Sequence, residues 1–268
     1  MAEYDFILTE SAGGVATITL NRPQSRNAMS LAMVDEMLTA LKAAEEDGAS
    51  RIVVLRGAGG HFCAGADLKD MAAARGKALS GGADDAFAAL SRRFGEMCLS
   101  FSESPLAVVA VAEGFVMGGG YGLVCASDVA LASSNAVFRL PETSLGLVPA
   151  QIAPYLVERL GYSQARRLAV TGGSLDARQA LQIGLVHECF DNGDALDRGV
   201  QRVIGEILGC APGALAATKK LIARARLRDP SALIHEAAVV YSQAAKSKEA
   251  TEGLASFMQK RKPAWAPK

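Results

Sequence analysis

Two glycine-rich stretches and one glutamate are the parts of this chain best suited to chemistry. Gly57-Ala58-Gly59-Gly60-His61-Phe62-Cys63-Ala64-Gly65-Ala66-Asp67 follows a β-branched run at 52–55, and Gly118-Gly119-Gly120-Tyr121-Gly122 follows an apolar run at 106–111. Each leads into a helical pattern. A glycine turn at the start of a helix exposes backbone N–H groups and leaves room for a ligand atom to approach them. Such donors can cradle a phosphate or hold the oxyanion of a tetrahedral or enolate intermediate. The formal phosphate motifs fail: there is no GxxxxGK[ST], and no GxGxxG follows the first strand with an acidic residue about 20 positions on. Two such turns facing one another would make an oxyanion hole.

Glu142, Asp67 and Asp128 are the candidate acids. A glutamate taken alone is ordinarily a surface carboxylate, and Asp67 opens a helical segment whose free N–H groups it can satisfy. Arg139, three residues before Glu142, either attracts an acid group on a ligand or faces solvent. His61, His187 and His235 have no HxxxH or HExxH spacing, so no metal is expected. Ser127 and Ser144 lack a G-x-S-x-G context. The five cysteines, Cys63, Cys98, Cys125, Cys189 and Cys210, fall in no CxxC pattern and read as small hydrophobes of a reducing compartment.

The elements that must position these residues alternate. Runs at 4–9 and 15–20 read as a hairpin closed by a turn at 10–14. Ser30 caps a helix carrying Leu31, Val34, Leu38 and Leu41 on one face, ending at Asp47-Gly48. A strand at 52–55 follows, then a helical segment at 68–74, a surface loop at 77–85, a helix at 86–102 and a strand at 106–111. Strands are expected at 128–132, 136–139 and 185–190, and helices at 152–160, 163–170 and 176–183, the last capped by Ser174 and stopped by Gly184. Beyond residue 191 only helical periods occur. The organisation is a β/α core over 1–191 and a helical region over 192–268.

The 268 residues carry 28 Lys+Arg against 28 Asp+Glu, a formal net charge of zero. That balance argues against a nucleic-acid partner, which needs many cationic contacts to phosphate. With 50% hydrophobic and 21% charged residues the composition is that of a soluble globular protein. No apolar run reaches the roughly 18 residues of a membrane span, and the N-terminus resembles neither a secretory nor a transit peptide. A cytoplasmic protein is expected, and so apolar a composition favours burying surface between subunits.

Four segments, Asn21-Arg22-Pro23-Gln24-Ser25-Arg26-Asn27-Ala28, His61 to Leu68, Gly118-Gly119-Gly120 and Leu140-Pro141-Glu142, occur in the order and spacing of the crotonase, or enoyl-CoA hydratase/isomerase, superfamily. The resemblance extends to Ser174-Leu175-Asp176-Ala177 and to the ending Phe257-Met258-Gln259-Lys260-Arg261-Lys262-Pro263, and so covers nearly the whole chain. It implies an α/β fold, the crotonase (ClpP/crotonase-like) β/α spiral with a C-terminal helical trimerisation region. It further implies an acyl-CoA thioester substrate, no cofactor beyond the coenzyme A that belongs to that substrate, and a homotrimer or a hexamer built as a dimer of trimers. By the same resemblance the N–H groups of Ala66 and Gly119 hold the thioester oxyanion. Glu142 is the general acid/base, and Ser25, Arg26, Ala28, Ala64, Gly65, Asp67, Leu68 and Gly118 line the substrate. Arg26 is placed to meet a phosphate or else is a solvated loop cation.

Hydratases of the crotonase type have a second glutamate three residues after the oxyanion-hole glycine, where this chain has Gly122. Three outcomes follow: hydration by Glu142 with water held otherwise, double-bond migration by Glu142 alone, or acyl-CoA binding without catalysis. The stretch Val148-Pro149-Ala150-Gln151-Ile152-Ala153-Pro154 resembles that of bacterial hydratases for 3-methylglutaconyl-CoA and especially isohexenylglutaconyl-CoA, of leucine and acyclic terpene catabolism. On that resemblance Gly122 leaves room for a branched, carboxylated acyl group and removes a like charge; Arg139 either attracts its distal carboxylate or faces solvent.

Overall fold

A computed structural model describes residues 4–79, 85–226 and 228–267. The chain opens with a hairpin, β1 (Ile7–Ala12) and β2 (Val15–Leu20), in which Ala12 pairs with Val15. The turn is therefore only Gly13-Gly14, both at positive φ (58° and 83°), the two-residue turn whose twist suits a hairpin. The expected strand at 4–9 is shifted onward because so short a turn lets the pairing run through Glu10, Ser11 and Ala12.

α1 (Leu31–Glu46) starts at Ser30, whose hydroxyl accepts from Met33 N–H at 3.3 Å. Its buried face is Met33, Val34, Met37, Ala40, Leu41 and Ala44, so Leu31, expected inward, lies instead at the exposed edge. There follow β3 (Ile52–Gly57), α2 (Leu68–Leu79), α3 (Ala86–Glu103), β4 (Ala107–Ala112), β5 (Phe115–Met117), α4 (Gly119–Ala126), β6 (Val129–Ser133) and β7 (Val137–Arg139). The helix expected to end at 74 continues to Leu79, through part of the expected loop; residues 80–84 of that loop lie outside the described residues. α5 (Ala153–Thr171) joins the two helices expected there across Gly161, whose φ of 72° and ψ of 160° break the helical path. β8 (Ser174–Asp176) precedes α6 (Ala177–Gln182). Asp176, not Ser174, caps α6, in a reciprocal pair with Gln179. β9 (Glu188–Phe190) is shorter than the expected 185–190 strand. The chain ends in α7 (Gly193–Gly209), α8 (Pro212–Ala225), α9 (Pro230–Ala245) and α10 (Lys248–Met258).

The main sheet has the order β1-β2-β3-β4-β6-β9, parallel except for the hairpin, and β5-β7-β8 form a second small sheet. Alternate residues of β3 and β4 serve two cores. Val53, Leu55, Val108 and Ala110 face the large core shared with α1, α3 and α4. Ile52, Val54, Val109 and Val111 face Leu196, Val200, Val203, Ile204 and Leu208 of α7. Strands buried on both sides need unbroken apolar runs, which is how these two read in the sequence. The region beyond 191 thus begins by closing one face of the sheet with α7. α8, α9 and α10 bury little, with Leu233 and Ser256 their only buried side chains among the described residues.

Candidate functional site

The two glycine turns are brought together by a short parallel pairing outside the main sheet. Cys63 N–H donates to Phe115 O and Met117 N–H to Cys63 O, both at 2.9 Å, so residues 62–65 run beside β5. Both strands then turn on a left-handed glycine, Gly65 at φ 100° and Gly118 at φ 48°, a conformation that side chains rarely tolerate. The turns touch: a Cβ on Gly118 would stand 3.6 Å from Gly65 Cα. Immediately after them come the N–H groups of Ala66 and Gly119. Neither has an acceptor among the described residues, Gly119 because it is the first residue of α4 and has no intrahelical partner. Two free N–H groups on touching turns are a donor pair able to hold an oxyanion.

Glu142 arrives at this place by register. Arg139 of β7 pairs with Met117 of β5, and Arg139 O accepts from Gly118 N–H at 3.1 Å. Three residues later the chain makes a single 3-10 turn, Glu142–Leu145, closed by Gly146 at φ 74° and by Leu147 N–H donating to Glu142 O at 2.9 Å. The Glu142 side chain comes back over the glycine turn: Oε1 would lie 3.0 Å from a Cβ on Gly118. Oε2 is buried without a hydrogen-bond partner. Burial pushes the Glu142 carboxyl above its ordinary value, only partly offset by its own backbone N–H. An acid with a raised pKa and a free oxygen is equipped to pass protons.

The loop before α1 locks the first turn in place. Asn27, fully buried at φ 57°, accepts from Arg22 N–H at 2.8 Å and donates to Ala58 O at 2.9 Å and His61 O at 2.6 Å. Ala64 N–H donates to Arg26 O, Met29 N–H to Gly65 O and Asp67 N–H to Met29 O, leaving Ala66 N–H as the unpaired donor in that run. Ala28 and Ala64 are half-buried and Ser25 Oγ bonds to Arg22 O at 3.1 Å. The Arg26 guanidinium lies over the Phe115 ring at 4.8 Å. Leu68, at 79% exposure, projects from the start of α2.

The geometry decides two readings that the sequence left open, at Asp67 and Arg139, and corrects one expectation, at Gly122. Asp67 is not a free group for a ligand: Oδ2 is paired with Arg22 at 2.6 Å and Oδ1 accepts from Lys69 N–H at 2.7 Å. Burial alone would raise its carboxyl, but the Lys69 N–H and the Arg22 cation outweigh it and hold the group below its ordinary value. Arg139 is exposed, in line with the solvent-facing reading, and its Nε donates to Gly172 O at 3.3 Å, at the end of α5. Gly122 does not leave open room. A Cβ there would collide with Ile152 Cγ2 and stand 3.1 Å from Ile152 Cβ and 3.5 Å from Phe94 Cζ. What a glycine at 122 provides is a seat for Ile152.

Asn27, Phe94 and Ile152 were not among the expected site residues. Asn27 lies inside the 21–28 motif, and its flanking Arg and Ala could have flagged it. Phe94 and Ile152 sit in ordinary apolar patterns and carry no local signal. Each neighbouring glycine is explained by a different contact: a Cβ on Gly119 would meet Phe94 Cε2 at 2.9 Å, and one on Gly120 would meet Cys63 Cβ at 2.6 Å. Cys63 is a packing residue, since burial pushes its thiol up to about 11. The far end of α4 is held by Arg159, which donates to the carbonyls of Val124, Cys125 and Ser127 and contacts His187 Nε2 at 3.0 Å. Among the described residues there is no cluster of three or more potential metal ligands and no helix long and apolar enough to cross a membrane.

The model of the enoyl-CoA hydratase/isomerase family matches residues 10–268. A solved enoyl-CoA hydratase/isomerase from Marinobacter aquaeolei superposes with a TM-score of 0.94 at 46% identity, covering 98% of this chain and 99% of that one. Pseudomonas aeruginosa AtuE gives 0.93 at 49% identity, covering 98% and 100%. The 2,3-dehydroadipyl-CoA hydratase of Escherichia coli (strain K12) is 32% identical over 250 residues, 93% of this chain and 94% of that protein. The chain is therefore a crotonase-fold member of the enoyl-CoA hydratase/isomerase family.

Proposed function

We propose that this protein is an enoyl-CoA hydratase acting on a branched, carboxylated 2-enoyl-CoA of the 3-methylglutaconyl-CoA or isohexenylglutaconyl-CoA type. The observation that carries the chemistry is the Glu142 carboxyl, with one oxygen unpartnered, set against the turn that offers the Gly119 N–H. The thioester oxygen binds to the N–H groups of Ala66 and Gly119, which stabilise the enolate character that develops as the double bond is attacked. Glu142 takes a proton from water as its oxygen bonds to C3, and returns a proton to C2, so one water is added and the carboxylate is restored. Coenzyme A is part of the substrate and no other cofactor takes part. Arg26, held over Phe115, meets the phosphate end, and the backbone of residues 25–28 and 64–68 borders the pantetheine.

Support for the substrate class comes from three sides. The 148–154 stretch resembles glutaconyl-type hydratases, a relative is named for a dicarboxylic enoyl-CoA, and the place of a second acid at 122 is apolar. The protein assembles as a trimer or a pair of trimers in the cytoplasm: α8, α9 and α10 expose Ile222, Ile234, Tyr241, Phe257 and Met258, a set of large apolar side chains suited to a surface between copies.

The single carboxylate favours one second reading, a 3-enoyl to 2-enoyl isomerase in which Glu142 carries a proton from C4 to C2. Turnover of 3-methylglutaconyl-CoA, isohexenylglutaconyl-CoA and a 3-enoyl-CoA decides between them. Water addition to either glutaconyl thioester supports the hydratase; double-bond migration without it establishes the isomerase. A rise in melting temperature with these thioesters and no turnover of any would make the protein an acyl-CoA binder.

A further inference from the structure

Gly119 and Gly122 are three residues apart on α4 and so share one face of it. Phe94 covers both, its Cε2–Cζ edge lying against Gly119 and its Cζ near Gly122. Ile152, 3% exposed, completes the cover by filling the space into which a side chain at 122 would grow. Ile152 is held from the other side through Gln151. The Gln151 amide donates to Ser91 Oγ at 3.2 Å, and its side chain lies so close to α3 that a Cβ on Gly95 would collide with Oε1 and stand 2.8 Å from Cδ. A glycine inside a helix is less favourable than alanine, so its presence there calls for a packing reason. Gly95 and Gly122, on two different helices, thus seat two consecutive residues, Gln151 and Ile152, beside the donor turn.

We propose that Ile152 is a specificity-determining residue. Its side chain stands in for one at position 122 and, with Phe94, forms an apolar wall next to the Gly119 N–H that sorts acyl groups by the bulk of their branch. The inference rests on the acyl-CoA assignment above. A thioester oxygen held at Gly119 N–H brings the first carbons of the acyl chain near this wall. A wall made only of carbon offers no hydrogen bond to water or carboxylate, so an apolar branch is what it can accept without an unpaired polar group. Changing an apolar pocket by even one methylene shifts kcat/KM by about 10–200-fold, and Ile→Ala removes more than that.

The test compares kcat/KM for isohexenylglutaconyl-CoA and 3-methylglutaconyl-CoA in the wild type, Ile152→Ala and Gly122→Ala/Ile152→Ala. In Ile152→Ala the ratio of long to short branch is expected to rise by about tenfold or more. In the double variant, where a methyl re-enters the same space from the helix side, it is expected to move back toward the wild-type value. An unchanged or reversed ratio in a cooperatively melting Ile152→Ala protein overturns the proposal. If that variant does not fold, Ile152→Val must show a smaller shift in the same direction. Absence of turnover in every form would remove the hydratase assignment instead. The same ratio, read as Kd for the two thioesters by calorimetry, would then support or overturn the role of Ile152.

Discussion

The first turn of α4 and the turn that follows it are built to opposite specifications. At Gly118-Gly119 the backbone is left-handed, a donor is unpaired and a carboxyl with a free oxygen stands alongside. One turn on, at Gly122, every space is filled, by Ile152 and Phe94. At the first turn polar groups are left for a substrate to satisfy, whereas at the second shape is set by packing. A buried unpaired group costs free energy, and Glu142 Oε2 bears that cost beside the two unpaired N–H donors.

The sharpest way to break that contrast is to remove the acid. Glu142→Gln keeps the shape but cannot exchange the proton, and turnover is expected to fall by at least about a hundredfold with thioester binding retained, as measured by steady-state kinetics and calorimetry. The filled corner can be probed by a double-mutant cycle in urea. Gly122→Ala drives a methyl into Ile152 and is expected to cost about 1–3 kcal/mol, and Ile152→Ala about 2–5 kcal/mol. Combined, the two should cost less than their sum, because each relieves the other; strict additivity would mean that the contact is not there. Gly118→Ala, which places a side chain at φ 48° and against Glu142 Oε1, is expected to lose about 1–3 kcal/mol and most activity together.

Smaller effects follow from protonation. The Glu142 carboxyl is raised in the fold, so its contribution is fully present below its unfolded pKa, near the ordinary 4.5, and is lost as pH rises through the folded value. Glu142→Gln should therefore melt higher than the wild type at neutral and alkaline pH, with the difference closing in acid. His187 has the opposite sign. Burial first, then the Arg159 cation, push its imidazolium below the ordinary 6.5, so the stability it confers is present above that pH and is lost as pH falls toward the folded value. Melting curves of His187→Gln should be flatter than wild type in that window; parallel curves would place the acid sensitivity elsewhere.

Much of this was legible in the sequence where the signal is local. β2 matches its alternating run residue for residue, Ser30 caps α1 as its type implies, and Gly65 and Gly118 sit where only glycine can turn. α2 ran past its expected end because Lys77, Ala78 and Leu79 suit a helix although they lie beside a glycine-rich tip. The surroundings of Gly122 differ from the expectation for another reason. Whether a glycine marks empty or filled space depends on what packs on it, and Ile152 and Phe94 reach it from distant parts of the chain. Asp67 and Arg139 read as pairs of alternatives, because the partners that decide between them, Arg22 and Gly172, are set by tertiary structure.

The central claim, that Glu142 alone moves the proton at C2, is tested most directly by deuterium incorporation. A 2-enoyl thioester incubated with the protein in D2O and analysed by mass spectrometry should gain deuterium at C2 as the wild type hydrates it, because the hydrogen Glu142 takes from water is the one it returns to C2. With Glu142→Gln, at thioester concentrations that saturate binding, no incorporation is expected. Exchange by Glu142→Gln at the wild-type rate would contradict the account.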